Sequence, residues 1–186
     1  MSDLEKAMAG DKEAFSRIII QNKESMYKTA IVILKNEDDA YDALQEALIK
    51  MYSNISKLQN KEMFKYWSKR IIINSCYDLI NKNKKVVNIT TKLTENYDET
   101  VEDSYNCEDE LVKVLENIEP DLRLTVTLYY YDELSIKEIS KVLNIPEGTV
   151  KSRLARARGK LYDILKGGEE SGQKWWRKRF VHKIKN

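Results

Sequence analysis

Lys151, Arg153, Arg156 and Arg158 lie within one eight-residue stretch, interleaved with Ser152, Leu154, Ala155 and Ala157. Guanidinium and ammonium groups at that density suit phosphate oxygens and the acceptor edge of guanine. At about 100° per residue, Val150, Leu154, Ala157 and Leu161 gather on one side of a helix. Ser152, Ala155 and Gly159 fall opposite, with Lys151 and Arg156 at the margins of that outer face. Small residues at the centre of a face let a helix sink into the major groove, while long basic residues at its edges reach bases or phosphates. Arg153 and Arg158 lie nearer the apolar side, where phosphate contact or ion pairing is expected of them. A surface helix with a solvated basic face is the competing account of the same pattern.

A second constellation is Trp67, Arg70, Asn74 and Asp78, a stripe at helical spacing with Lys65 just before it. A ring stacks on a base, cations hold phosphates and an amide reads a base edge. Duplex DNA hides base faces in its stack, so such a stripe is useful mainly against an unpaired strand. Core packing accounts equally well for Trp67 taken alone. A third group, Asp42, Gln45 and Glu46, sits at i, i+3 and i+4, one outward polar face beside apolar Leu44, Leu48 and Met51. Solvation is the plain account of that face, and protein docking the sharper one.

Other chemistry finds little support. Cys76 and Cys107 are isolated and His182 is the sole histidine, so neither a zinc site nor a structural disulfide is expected. No phosphate-binding glycine loop and no nucleophile–base pairing is visible, and no cofactor is expected. No apolar run approaches the roughly 18 residues needed to span a bilayer, and Met1-Ser2-Asp3-Leu4-Glu5 lacks the pattern of a signal peptide. A cytoplasmic protein is the expectation.

The elements that must carry these groups read as helices. Only 6 Gly and 2 Pro punctuate 186 residues, against a turn-rich β architecture. Residues 11–35 have helical periodicity, with a break conceivable near Gln21-Asn22. Asn36 is placed to cap a helix running to about Ser53, with Glu37, Asp38 and Asp39 in its first turn. Its buried stripe is expected at Leu44, Leu48 and Met51, with Ala40, Ala43 and Ala47 allowing close packing. Residues 53–61 read as a loop, and a further helix runs from about Glu62 to Lys84. The β-branched stretch Val87-Asn88-Ile89-Thr90-Thr91 and the acidic residues after it read as a flexible linker. A second helical block spans Cys107 to Leu165, stopped by Gly167-Gly168. Within it, Ser135-Ile136-Lys137-Glu138 is a capping box, Asn144 suits a left-handed turn, Ile145 can plug the gap between helices and Pro146 suits the first position of the next helix. Ile136, Ile139, Val142 and Leu143 would face inward. Short helix, tight turn and second helix make a helix-turn-helix.

Charge follows the same partition. Residues 1–86 carry 15 Lys/Arg against 12 Asp/Glu, residues 87–118 carry 2 against 9, residues 119–166 carry 9 against 7, and residues 167–186 carry 6 against 2. Two mildly basic blocks are joined by an acidic segment and end in a basic tail. In that tail Trp176, Phe180 and Ile184 recur at four-residue spacing among cations, a pattern open to membrane, DNA or a regulator.

Leu134 to Leu161 resembles domain 4 of the extracytoplasmic-function sigma factors of bacterial RNA polymerase. The family's G-T-V-K/R-S-R core stands here as Gly148-Thr149-Val150-Lys151-Ser152-Arg153, followed by Arg156-Ala157-Arg158-Gly159-Lys160-Leu161. Related helix-turn-helix regulators share parts of this pattern. Asp38 to Lys50 resembles the family's D-A-x-D-x-x-Q-E-x-F segment of domain 2, which packs on the clamp of the polymerase largest subunit. Phe64 to Asn74 resembles its F-x-x-W-L-x-R-I-A-x-N segment, with Ser68 where Leu is usual and Ile72 where Ala is usual. The resemblance covers roughly residues 8–86 and 107–166 and preserves the order of parts.

It implies an all-α, two-domain sigma factor: domain 2 over 1–86, an acidic linker over 87–106 that threads toward the polymerase active centre, domain 4 over 107–166, and a tail over 167–186 that the motifs do not cover. Lys151, Ser152, Arg153, Ala155, Arg156 and Arg158 would contact the duplex −35 element. Lys65, Trp67, Arg70 and Asn74 would hold the opened −10 element and a flipped-out base. Asp39, Asp42, Gln45 and Glu46 would bind core polymerase. Expected partners are the clamp of the largest subunit, the flap of the second-largest subunit, promoter DNA, and an anti-sigma factor, which could be membrane-bound and would hold the protein inactive until a stress releases it. A free-standing helix-turn-helix regulator would explain residues 135–162 but leave the Asp42 face and the Trp67 segment without a role. An enzyme on a helical scaffold would have only His182 and scattered carboxylates to work with.

Overall fold

The computed structural model describes residues 2–91, 115 and 117–166. Their regular elements are all helices, with no strand among them. The chain divides into two compact units, Met1–Asn106 and Cys107–Asn186.

In the first unit a short α1 (Asp3–Met8) leads into α2 (Lys12–Leu34), α3 (Glu37–Asn54), two single 3-10 turns (Ile55–Lys57 and Lys61–Met63) and α4 (Phe64–Thr91). Local chemistry sets the boundaries. Ser2 and Glu5 form a capping box on α1, and the Asp11 carboxylate accepts from the Ala14 N–H at 3.0 Å to start α2. Lys35 turns left-handed (φ 57°) and its N–H donates to the Ile31 carbonyl, ending α2. Asn36 accepts from the Asp39 N–H at 2.9 Å and opens α3 behind three carboxylates. Helix α2 runs unbroken through Gln21-Asn22, because the Asn22 amide donates to the Ile18 carbonyl at 2.8 Å and so stays within the helix.

Helices α2, α3 and α4 pack against one another pairwise, and α1 lies on α2. The centre of the buried face of α3 is the row Ala40, Ala43, Ala47 and Met51, each at most 1% exposed. Leu44 and Leu48, expected at that centre, flank it half-buried. Three alanines remove the bulk that would hold neighbouring axes apart, so the backbone itself approaches α2 and α4. Ile31, Ile72 and Ile73 fill the core around them, each such burial contributing about 1.5–3 kcal/mol.

Two expectations change here. Residues 53–61 are not an open loop: Ser53 and Asn54 belong to α3, and Ile55 and Leu58 are buried under the 3-10 turns. Helix α4 also continues seven residues past Lys84, through the β-branched stretch assigned to the linker. A helix already nucleated gains one bond per residue, and each β-branched residue costs only about half a kcal/mol relative to alanine. The remainder of the expected linker (92–106) and the basic aromatic tail (167–186) lie outside the described residues.

The second unit contains α5 (Pro120–Val126), a π-helical turn (Thr127–Tyr131), α6 (Ile136–Leu143) and α7 (Glu147–Lys166). Its helical block is not continuous. The π turn ends at Asp132, Glu133 takes a left-handed conformation (φ 56°), and Ser135 restarts the helix with the full Ser135–Glu138 capping box. Asn144 is left-handed (φ 54°), as its short polar side chain permits. Pro146 stands one residue earlier than expected, at the N-cap of α7, where its carbonyl accepts from the Val150 N–H at 3.2 Å. Helices α5 and α6 both pack on α7 around Leu122, Val126, Ile139, Val142, Val150, Leu154 and Leu161.

Candidate nucleic-acid interface

The turn between α6 and α7 is closed twice by one residue. Ser140 Oγ donates to the Ile145 carbonyl at 2.5 Å, and the Ile145 N–H donates to the Ser140 carbonyl at 3.1 Å. Ile145 itself is half-buried, as are Ile136 and Leu143, while Ile139 and Val142 are fully inside. This fixes the angle at which α7 leaves the turn.

On α7, Val150, Leu154, Ala157 and Leu161 are no more than 2% exposed. Lys151, Ser152, Ala155, Arg156 and Gly159 are exposed. A Cβ added at Gly159 would meet nothing within 4 Å, so the centre of the outer face is open. The two inner arginines are committed to the unit itself. Arg153 pairs with Asp121 at the start of α5, and Arg158 Nε donates to the Tyr130 hydroxyl at 2.9 Å. Burial pushes the Tyr130 phenol up and the Arg158 donor pulls it back down. Lys160 pairs with Glu119, and this hydrogen bond holds the Glu119 carboxyl below its ordinary range. Arg153 and Arg158, expected nearer the apolar side, are half-buried and paired, and the exposed outer face is formed by Lys151, Ser152, Ala155 and Arg156. The sequence reading missed Tyr162, which is 66% exposed and shares their face by helical angle. An exposed aromatic seven residues after Ala155 was the available signal.

In the first unit Lys65, Arg70, Asn74 and Asp78 are exposed and Trp67 is half-buried on α4. Trp67 leans on Phe64, with ring centroids 6.0 Å apart. Its outer side faces a cleft of about 540 Å³ whose opposite wall is the 3-10 segment, through Leu58, Gln59 and Met63. Asn74 and Asp78 line an adjoining cleft of about 290 Å³, with Tyr77 beside them. Ile71 and Lys50 line both. The larger cleft exists because Ile55 and Leu58 anchor the segment inward while Met63 stays 39% exposed at its rim. Helix α1 ties the segment down from outside: Lys61 donates to Glu5 at 2.9 Å, and Arg17 grips Asp3 with two bonds of 2.9 and 3.1 Å. Inside, Lys69 is 4% exposed and donates to the Ser25 carbonyl at 2.7 Å and the Thr29 hydroxyl at 2.6 Å, locking α4 to α2. Lys50 and the 3-10 wall were absent from the sequence reading, because contact between α3, the turns and α4 is not written in any local spacing.

Asp42, Gln45 and Glu46 are exposed on one face of α3, with Asp39 half-buried at its edge. Ile49, at 63% exposure, sits within that face, and Tyr41 at 53% borders it. Ile49 is thus an exposed apolar side chain on a face otherwise polar.

Among the described residues no three His, Cys, Asp or Glu side chains converge as a metal site would need, and no helix is long and apolar enough to cross a membrane. Cys76 is fully buried, and burial pushes its thiol up to about 12, away from reactive thiolate chemistry.

Comparison with known proteins places both units. Residues 18–86 match the family described as Sigma-70 region 2, and residues 108–161 match Sigma-70, region 4. The chain is 34% identical over 178 residues to the ECF RNA polymerase sigma factor SigW of Bacillus subtilis, spanning 88% of this chain and 95% of that protein. It is 30% identical over 139 residues to RNA polymerase sigma factor SigV of the same organism, spanning 75% of this chain and 83% of that one. Among solved structures it resembles sigma factor RpoE bound to the anti-sigma factor NepR from Bartonella quintana (TM-score 0.67, 22% identity, 83% of this chain and 98% of that one). It also resembles CnrH bound to the cytosolic domain of CnrY (TM-score 0.65, 18% identity, 90% and 97%).

Proposed function

This chain belongs to the sigma-70 family, among the ECF RNA polymerase sigma factors, and we propose that it directs core RNA polymerase to promoter DNA and helps open the duplex there. It acts as a transcription initiation factor, in the cytoplasm where polymerase works, and contributes binding energy in place of covalent chemistry. The observation that carries this reading is the presence on one chain of an exposed small-and-basic α7 face and a Trp67 cleft, in the region order of the family.

The outer face of α7 (Lys151, Ser152, Ala155, Arg156) takes the major groove of the −35 element. Arg153 and Arg158 orient α7 through Asp121 and Tyr130 and reach phosphates only at their free N–H groups. The stripe Lys65, Trp67, Arg70 and Asn74 takes the unpaired −10 strand, ring against base and cation against phosphate. The α3 face with Asp39, Asp42, Gln45 and Glu46, centred on Ile49, docks on the polymerase clamp, and the second unit engages the flap. An anti-sigma factor is a further partner, as RpoE, a protein of this fold, is found in complex with the anti-sigma factor NepR. The domain limits 1–86 and 107–166 are the functional ones in this reading.

Reconstitution tests it. The purified chain mixed with core polymerase should yield transcripts from a restricted set of promoters and none from core alone. Tight operator binding by the chain without polymerase, with no promoter-specific transcript, would instead identify a free-standing regulator.

A further inference from the structure

Lys50 is the one cation shared by the two clefts on α4, although it comes from α3. Its ammonium donates to Asp78 Oδ2 at 3.0 Å and to Ser75 Oγ at 3.2 Å, both on α4. An ammonium has three N–H donors, so one is left to point elsewhere. The side chain is 43% exposed, neither swallowed by the core nor free in solvent. Resting on the reading of this cleft as the −10 single-strand site, we propose that Lys50 is a base-selecting residue: its third N–H donates to a keto oxygen of an unpaired base held against Trp67 and Ile71, and Asp78 and Ser75 are the positioning residues that aim it.

Three observations lead to a base, not to the DNA backbone. Trp67, Ile71 and Leu58 give the larger cleft apolar walls suited to a ring, and Lys57, its other cation, already donates to Asn54 Oδ1 at 2.9 Å. Asp78 stands beside the ammonium, so a phosphate arriving at Lys50 would meet a carboxylate of the same sign a few ångströms away. A neutral acceptor meets no such repulsion. Finally, the two α4 bonds restrict the rotational freedom that makes lysine a poor reader of geometry and bias where its remaining donor points. Guanine, thymine and cytosine carry keto oxygens. Adenine has no keto oxygen, and on its amino edge the ring nitrogens flank an amino group whose own donors would oppose the ammonium. Selection against adenine at one position is the consequence.

The test uses holoenzyme and fork promoters whose −10 strand is already unpaired, with each of the four bases and an abasic sugar placed in turn at every unpaired position. The wild type should bind one position with about tenfold to hundredfold preference for keto bases over adenine, the range for a hydrogen bond from a charged donor. Lys50→Met keeps most of the aliphatic stem and should erase that preference while binding the abasic fork as the wild type does. Asp78→Asn should weaken the same preference and steepen the salt dependence, since a released ammonium turns to phosphate. Thermal melts of both variants establish that they are folded. If Lys50→Met retains every base preference, or loses affinity equally on the abasic fork, base selection by Lys50 is wrong. The broader site stands or falls separately: Asn74→Ala, at an exposed position, that binds all forks like the wild type would remove the single-strand reading and this inference with it.

Discussion

Arg156 and Arg158 are two residues apart on α7, yet they have opposite duties. Arg156 projects from the exposed face, whereas Arg158 holds the hydroxyl of buried Tyr130. Arg156→Ala should therefore cost about 1–3 kcal/mol of −35 binding if it makes a bidentate base contact, with the melting temperature unchanged. Arg158→Ala should cost about 1 kcal/mol of folding stability, because its hydrogen bond to the Tyr130 hydroxyl is lost. Titration of both variants with duplex −35 DNA, beside thermal melts, separates the two; a destabilised Arg156 variant would put that residue in the fold instead of on the groove. Gly159 makes the same distinction from the other side. Its Cβ position is empty, so Gly159→Ala should stabilise α7 by about 0.5–1 kcal/mol. A larger Gly159→Gln should weaken duplex binding if the groove comes close at this point. Equal DNA affinity in both would show that the groove stays clear of Gly159.

Elements carry effects that single residues do not. Helix α3 presents Ile49 within an acidic face, the arrangement of an apolar anchor with a polar rim. Charge reversal at Asp42 and Glu46 together, or Ile49→Lys alone, should weaken binding to core polymerase and leave the helix-turn-helix affinity for −35 duplex intact. Pull-down with core polymerase decides: normal recovery of the double variant would discard the docking role. Helix α1 braces the 3-10 wall of the cleft through Glu5 and Lys61. The Lys61 hydrogen bond depresses the Glu5 carboxyl from 4.5 to about 2. A depressed acid contributes stability that is complete above its unfolded value and fades as pH falls toward the folded one. The brace should therefore be intact at neutral pH and loosen between about pH 4.5 and 2, seen as faster amide exchange at residues 55–63. Glu5→Gln should show that faster exchange already at pH 7, and an unchanged exchange pattern would mean the tie does not restrain the wall.

At the scale of the whole molecule, the proposed roles put duplex recognition and strand opening in different units, so they should fail separately. Aromatic stacking is worth about 1–3 kcal/mol per base, close to the few kcal/mol spent in unstacking one. Weakening the α4 stripe should then tip opening without abolishing initial binding. Asn74→Ala is expected to lower permanganate reactivity of −10 thymines on duplex promoters at equal occupancy. A premelted −10 region should restore the part of that loss that comes from weakened opening, though not any lost base discrimination on the unpaired strand. Equal opening of the duplex by wild type and variant would make Asn74 structural.

The limits of the sequence are visible in particular residues. It determined by itself whatever depends on neighbours within about four positions: the Ser135–Glu138 capping box, the Asn36 cap, the left-handed Asn144 and the segregation of Val150, Leu154, Ala157 and Leu161 from the outer face of α7. These are set by hydrogen bonds and helical angle, which short range suffices to specify. The family signatures, being local strings, were legible for the same reason. Only the tertiary structure decided that Arg158 belongs to Tyr130, that Ile55 and Leu58 make a wall from what read as a loop, and that Lys50 reaches 28 residues along the chain to Asp78. Those partners are neighbours in space through the packing of whole helices, and no periodicity within one helix encodes which side chain of another it will meet.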